Sequence, residues 1–188
     1  MAEGSASCPA GQSQRDGASE RTTVLRIVIL CALPMLPLLS TMIWHPRPLL
    51  LWNASPSSPR GLYAVIREPS PRTGDTIIAW APQAARLLAD RRHYLPASVP
   101  LVKRVAAVAG DRVCATGAAI LVNGATAAYR RRSDPSGRRL PWWNGCRRLR
   151  PGEVLLLSPR SPLAFDGRYF GVTRASEIIG KGWLLWAG

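Results

Sequence analysis

The sequence predicts a mostly β domain with one short helix, preceded by a single N-terminal transmembrane helix. Three observations carry this expectation. After Arg26, 18 residues pass without a charge, the lower end of the length a helix needs to cross a bilayer. Further on, short runs rich in Val, Ile and Leu are bounded by Gly, Pro, Asn and Asp, the punctuation of strands. One stretch, residues 83–94, reads instead as an amphipathic helix.

In chain order, residues 1–22 are rich in Ser, Gly and Ala and lack apolar periodicity, so a disordered cytoplasmic tail is expected. Residues 23–45 form the expected anchor. Pro34 and Pro37 weaken a water-soluble helix but are tolerated in a span, and Trp44 and Trp52 suit an interfacial belt. A cleaved signal peptide would have a shorter apolar region followed by a small-x-small site. Bulky residues and His45-Pro46 follow here instead, so the anchor is expected to be retained. Arg15, Arg21 and Arg26 before the span, against Arg47 and Arg60 after it, favour a cytoplasmic N-terminus by a narrow margin.

Residues 46–188 then form the domain. Asn53 to Tyr63 is a stretch of serines and prolines that stiffens the backbone and presents hydroxyls. Strands are expected at Leu62–Ile66, Thr76–Trp80 after the Gly74-Asp75 turn, and Leu101–Val108 before Gly110-Asp111. Pro82 starts the arginine-rich helix from Gln83 to Tyr94. Further strands are expected at Arg112–Cys114, Ala119–Val122, Glu153–Leu157 and Ile178–Trp186. Asn123-Gly124 predicts a type I′ hairpin turn. Residues 130–145 and Ser161 to Gly171 read as loops, the second carrying Asp166 and Arg168.

The net charge of +14 lies entirely after His45. It fits an anionic lipid surface, an acidic partner or a solvated basic face. A nucleic-acid groove would interleave aromatic residues with the basic ones. Here Arg130-Arg131-Arg132 and Arg147-Arg148 sit in polar loops, so no specific nucleic-acid partner is expected. Of four cysteines, only Cys114 and Cys146 share the domain, at a spacing that fits no zinc motif. Export would permit a disulfide between them, and otherwise they are two buried thiols. With two histidines and no carboxylate cluster, neither a metal nor a cofactor is expected. The same scarcity argues against a Ser/His/Asp triad.

The 25 basic side chains are arginines apart from Lys103 and Lys181. Arginine does not lose its proton in a protein, whereas a desolvated lysine can. Lys103 sits in an apolar strand, with Arg104 on the opposite face. Lys181, near the end of the chain, reads as merely exposed. A serine hydroxyl is a weak nucleophile until a base takes its proton, and a buried lysine can serve as that base.

Four blocks occur in order: Asn53-x-Ser55-x-Ser57-x-Pro59-x-Gly61-Leu62-Tyr63, then Gly74-Asp75, then Lys103-Arg104-Val105-Ala106-Ala107-Val108-x-Gly110-Asp111, then Phe165-Asp166-Gly167-Arg168-Tyr169-Phe170-Gly171. In this, residues 50–188 resemble the signal peptidase family of serine proteases, and specifically the TraF-type peptidases of conjugative transfer systems. The resemblance implies a signal-peptidase-like β domain with Ser57 as nucleophile and Lys103 as general base. It implies that Ser55 donates its hydroxyl to the oxyanion hole, and that Asp166 and Arg168 support the lysine and the surrounding fold without acting catalytically. It also implies a single-pass protein of the bacterial inner membrane with its catalytic domain in the periplasm. The substrate would be an exported precursor such as a pilin, and the lipid bilayer the other partner. The product could be linear or cyclic.

The sequence departs from the family in two places. Ala164 stands where a serine usually orients the lysine, leaving a water or Ser161 to substitute. Ser58 stands where a hydrophobic residue is usual, so Ser57 and Ser58 both remain candidate nucleophiles. A general signal peptidase and an inactive peptidase-like basic module are the alternative readings.

Overall fold

The computed structural model describes residues 26, 28–32, 49–67 and 70–188. The expected tail at 1–22 and most of the expected anchor at 23–45 lie outside the described residues. Arg26 and residues 28–32 are helical. Among the described residues, no helix is long and apolar enough to cross a membrane. The chain divides into two compact units, Met1–Arg47 and Pro48–Gly188, and the second is the β domain.

Among the described residues, eleven strands form two antiparallel sheets. The larger contains β1 (Leu50–Asn53), β2 (Gly61–Ile66), β3 (Thr76–Ala79), β4 (Leu101–Ala107), β9 (Glu153–Leu157), β10 (Thr173–Arg174) and β11 (Ile178–Ala187), in the order β1-β2-β11-β3-β4-β9-β10. The smaller contains β5 (Arg112–Thr116), β6 (Ala119–Val122), β7 (Ala125–Tyr129) and β8 (Gly145–Arg148), in the order β7-β6-β5-β8. The expectation of a mostly β domain holds.

The larger sheet buries both faces through its middle strands and leaves Leu50 and Trp52 of β1 and the end of β11 exposed. Tyr63, Ile78, Val102 and Ile179 form one core cluster, and Ile77, Val105, Val154 and Leu156 belong to another. A third cluster joins the two sheets through Ala107, Leu155 and Leu157 on one side and Val113 and Ile120 on the other. Burial on both faces explains why Leu155, Leu156 and Leu157 form an unbroken apolar run rather than an alternation.

The serine loop is the turn between β1 and β2, which Asn53 and Gly61 close as the last register pair. On a flat sheet, three strand spacings, about 14 Å, would separate β2 from β4. Between them the ladder is irregular on both sides of β11, at Leu184/Trp186 against β2 and at Ile178/Gly180 against β3, the kind of irregularity that adds local bend and twist. Gly61 has φ +144°, and a Cβ there would lie 2.0 Å from the Trp186 carbonyl oxygen. No other residue lets β2 start so close to β11.

Several details differ from the sequence-based expectation. α1 (Gln83–Arg91) stops short of Tyr94, because His93 adopts a left-handed conformation with φ 57°. The loop from Ser161 to Gly171 contains a one-turn helix, α2 (Gly167–Phe170), and a 3-10 turn spans Ala175–Glu177. β1, β8 and β10 carry no alternation that would reveal them; β8 is exposed at all four residues. Asn123 and Gly124 have φ 51° and 86°, as a type I′ turn requires.

Cys114 and Cys146 face each other across β5 and β8 and are joined in a disulfide closing a separation of 32 residues. With no apolar face to hold β8, the crosslink matters. A loop of this length is worth about 3–4 kcal/mol in the chain-entropy account. The Cys114→Ser/Cys146→Ser protein is expected to unfold at a lower temperature and to be less stable by that free energy, as measured by calorimetry against the oxidised parent.

Candidate active site

Asn53 builds the serine loop from within. Its buried side chain receives the Ser55 N–H at Oδ1 (3.1 Å), an Asx-turn. Its Nδ2 donates to the carbonyls of Ser55, Ser58 and Pro59 at 3.1, 3.2 and 2.9 Å. Tyr63 Oη also donates to the Pro59 carbonyl (2.8 Å), tying the loop to β2. Asn53 opens the first sequence block, yet no sequence signal marked it as a structural hub. Its importance comes from three carbonyls converging on one amide.

The loop directs its hydroxyls differently. Ser58 Oγ donates to the Val102 carbonyl at 2.7 Å, which binds the loop to β4 one residue before Lys103. Ser57 Oγ instead meets Lys103 Nζ at 2.6 Å. The two serines thus differ in their partners: Ser58 tethers the loop to β4, and Ser57 is the hydroxyl beside the amine. Ser55 Oγ lies 2.9 Å from Ser57 Oγ and accepts the Ser57 N–H at 3.3 Å. The three candidate residues Ser55, Ser57 and Lys103 therefore form one hydrogen-bonded chain.

Lys103 is 3% exposed. Burial pulls its pKa from the usual 10.5 down to about 8, with nearby Asp166 opposing the shift and Arg168 adding to it. Burial is the largest cause because an ammonium gives up its hydration when packed among apolar side chains.

Asp166 and Arg168 lie behind the lysine and are themselves buried, at 0% and 2% exposure. Their side chains meet in a two-pronged ion pair, Nε to Oδ1 and Nη2 to Oδ2, both at 2.9 Å. Arg168 Nη2 also donates to the carbonyls of Ser158 (3.0 Å) and Ser161 (2.7 Å). Asp166 accepts the backbone N–H of Ser158 at 2.8 Å. The pair is thus a clamp on the segment after β9.

Ala164 is buried and offers only a methyl. Ser161 lines the cleft, but among the described residues its hydroxyl makes no hydrogen bond to Lys103. Lys181 departs from the expectation of a freely exposed lysine: its Nζ pairs with Asp75 Oδ1 at 2.8 Å, and the side chain is 25% exposed. Gly74-Asp75 and the last strand are therefore joined by charge.

Ser57 and Lys103 open into a cleft of about 730 Å³, walled by Leu51, Trp52, Tyr94, Val99, Leu140 and Phe165 among others. Its lining is mainly apolar. A hydroxyl beside a buried amine of lowered pKa, in such a cleft, is equipped for acyl transfer.

Residues 21–187 match the protein family described as signal peptidase, peptidase S26. A plasmid transfer protein TraF of Escherichia coli is 33% identical over 138 residues, 68% of this chain and 77% of that protein. A probable conjugal transfer protein TraF of Sinorhizobium fredii is 32% identical over 139 residues, 68% of this chain and 72% of that protein. Among solved structures, a signal peptidase I of Enterococcus faecalis aligns with a TM-score of 0.37 and 15% identity, covering 62% of this chain and 98% of that one.

Proposed function

Since the chain belongs to the signal peptidase family, peptidase S26, we propose that it is a membrane-anchored serine endopeptidase of the TraF type. Its substrate is an exported precursor, a conjugative pilin, and Ser57 and Lys103 cut it at the periplasmic face of the inner membrane. The observation that carries this reading is the 2.6 Å contact between Ser57 Oγ and the Nζ of a buried lysine with a pKa near 8.

In the resting state the ammonium donates to Ser57 Oγ. Once Lys103 is neutral the bond reverses, and Ser57 donates to Nζ. Ser57 Oγ then attacks the scissile carbonyl as its proton passes to Lys103. The developing oxyanion is met by the Ser57 N–H, which turns from Ser55 Oγ, and by the Ser55 hydroxyl itself. Lys103 hands its proton to the leaving amine, which departs and leaves an acyl-enzyme on Ser57. Lys103 then deprotonates the water that releases it.

An exposed apolar surface supports the membrane placement. Leu50 and Trp52 of β1 and Trp183, Leu185 and Trp186 of β11 are all more than half exposed, and the Trp52 and Trp186 rings lie 5.6 Å apart. Soluble surfaces rarely gather such residues without a partner. β1 runs directly into the Ser57 loop, so this apolar surface adjoins the serine and suits contact with a bilayer.

Incubating the full-length protein in lipid vesicles with a plasmid-encoded pilin precursor tests the reading. Mass spectrometry should show one cut after a small residue with the parent protein and intact precursor with Ser57→Ala. Equal cleavage by both proteins would remove Ser57 from the mechanism. Equally fast cutting of unrelated secretory precursors would make the enzyme a general signal peptidase.

The acid limb of the activity follows from Lys103. Because the base must be neutral, kcat/KM should rise about tenfold per pH unit below pH 8 and level off above it. A rate profile from pH 5.5 to 9.5 checks this, and a flat profile would contradict a lysine base.

A further inference from the structure

We propose that Ser158 is a positioning residue for Lys103, its hydroxyl hydrogen-bonding Nζ and holding it in line with Ser57. The inference rests on the Ser57/Lys103 reading and supplies what Ala164 lacks.

Strands β4 and β9 pair with Val105 opposite Leu156 and Arg104 opposite Leu157. One further step of that antiparallel register sets Lys103 opposite Ser158. Directly opposed residues project from the same face, with Cβ atoms about 4.5–5.5 Å apart. Ser158 is 2% exposed. Among the described residues its Oγ is one of two buried side-chain oxygen or nitrogen atoms that lack a hydrogen-bond partner; the other is Thr173 Oγ1. A native fold rarely keeps such a hydroxyl without a use.

The backbone of Ser158 is held on both sides. Its N–H donates to Asp166 Oδ2, and its carbonyl accepts from Arg168 Nη2. The residue therefore cannot drift, and χ1 is what remains to aim the hydroxyl. Lys103 has room for it: an ammonium carries three donors, and among the described residues Nζ makes one hydrogen bond, to Ser57. The buried ion pair would so transmit its rigidity to the base through a residue between them.

A hydroxyl suits this post better than a carboxylate. It accepts from the ammonium and donates to the neutral amine, so it guides Nζ through the whole cycle. A carboxylate would pin the lysine in its charged form. The charged groups around Nζ are Asp166 and Arg168 from the segment after β9. The Lys181–Asp75 pair lies on the same face, with Lys181 reached from Lys103 through Ile77.

The test uses the full-length protein with Ser158→Ala, Ser158→Thr and Ser158→Val, the last two matching in shape and differing in the hydroxyl. Ser158→Ala should lower kcat ten- to a hundredfold with KM within twofold, the range expected when a reacting group loses its alignment. Its unfolding temperature should fall only slightly, since one hydrogen bond to the buried amine is lost while the fold is otherwise kept. The acid limb of kcat/KM should move to lower pH, because the ammonium loses an acceptor. Ser158→Thr should keep most of the activity that Ser158→Val loses. Wild-type kcat and pH profile in Ser158→Ala, or equal activity in the Thr and Val proteins, would overturn the proposal. Ser57→Ala serves as the control: if it still cleaves, the dyad has failed rather than the role of Ser158.

Discussion

Lys103→Met is expected to abolish cleavage and, at neutral pH, to make the domain more stable. The methionine keeps the volume and flexibility of the lysine stem but carries no charge. At pH 7 the buried amine of the parent is mostly protonated. The fall of its pKa from 10.5 to about 8 means that folding disfavours the ammonium by about 3 kcal/mol. The sign follows from proton counting. Between pH 8 and 10.5 the unfolded chain binds the proton that the folded one has released, so the parent gains stability as pH rises through that window. Below pH 8 both states are charged and the whole penalty stands. The advantage of Lys103→Met should therefore be largest below pH 8 and fade toward pH 10.5. Thermal unfolding of both full-length proteins at pH 6.5 and pH 10 reads it. Cleavage should fall by about 10⁴-fold or more, as when a catalytic base is removed from a serine hydrolase. Cleavage within tenfold of the parent would end the case for Lys103 as the base.

Arg168→Ala is expected to be the most destabilising single change in the domain. The guanidinium holds both oxygens of Asp166 and the carbonyls of Ser158, Ser161 and Tyr129. Its removal leaves a fully buried carboxylate without its ion-pair partner and several carbonyls without a donor. Breaking a buried pair from one side costs about 3–5 kcal/mol, a large part of the stability of a domain this size. Arg168→Lys should recover little, because an ammonium cannot reproduce the planar two-pronged contact. Arg168 also helps to hold down the Lys103 pKa while Asp166 raises it. Any Arg168→Ala protein that folds should therefore show its acid limb at higher pH. Denaturant unfolding and a pH–rate profile measure the two effects. Parent-like stability would show that the clamp is dispensable.

Much of the frame could be read locally. The runs Leu62–Ile66 and Ile178–Trp186 have strand composition, and Asn123-Gly124 has the residues a left-handed turn needs. In a chain whose basic residues are nearly all arginine, a lysine in an apolar strand singles out position 103. β8 could not be found this way: its residues are exposed, and it is held by backbone pairing and a crosslink to β5. Asn53 looked like an ordinary loop residue because its three carbonyl partners become neighbours only after the loop has folded.

Residue order nominated the serine loop, the lysine strand and the Asp166–Arg168 block through four short blocks that are common one by one and specific only in their sequence. The separate partners of the Ser57 and Ser58 hydroxyls, the depressed pKa of Lys103, the pairing of Lys181 and the unpartnered hydroxyl of Ser158 required the folded chain. Two adjacent serines differ in where their hydroxyls point. That depends on a carbonyl 44 residues away for one and an amine 46 residues away for the other. A lysine becomes a base when water is excluded from it, and the sheet excludes water only after distant strands have closed over it.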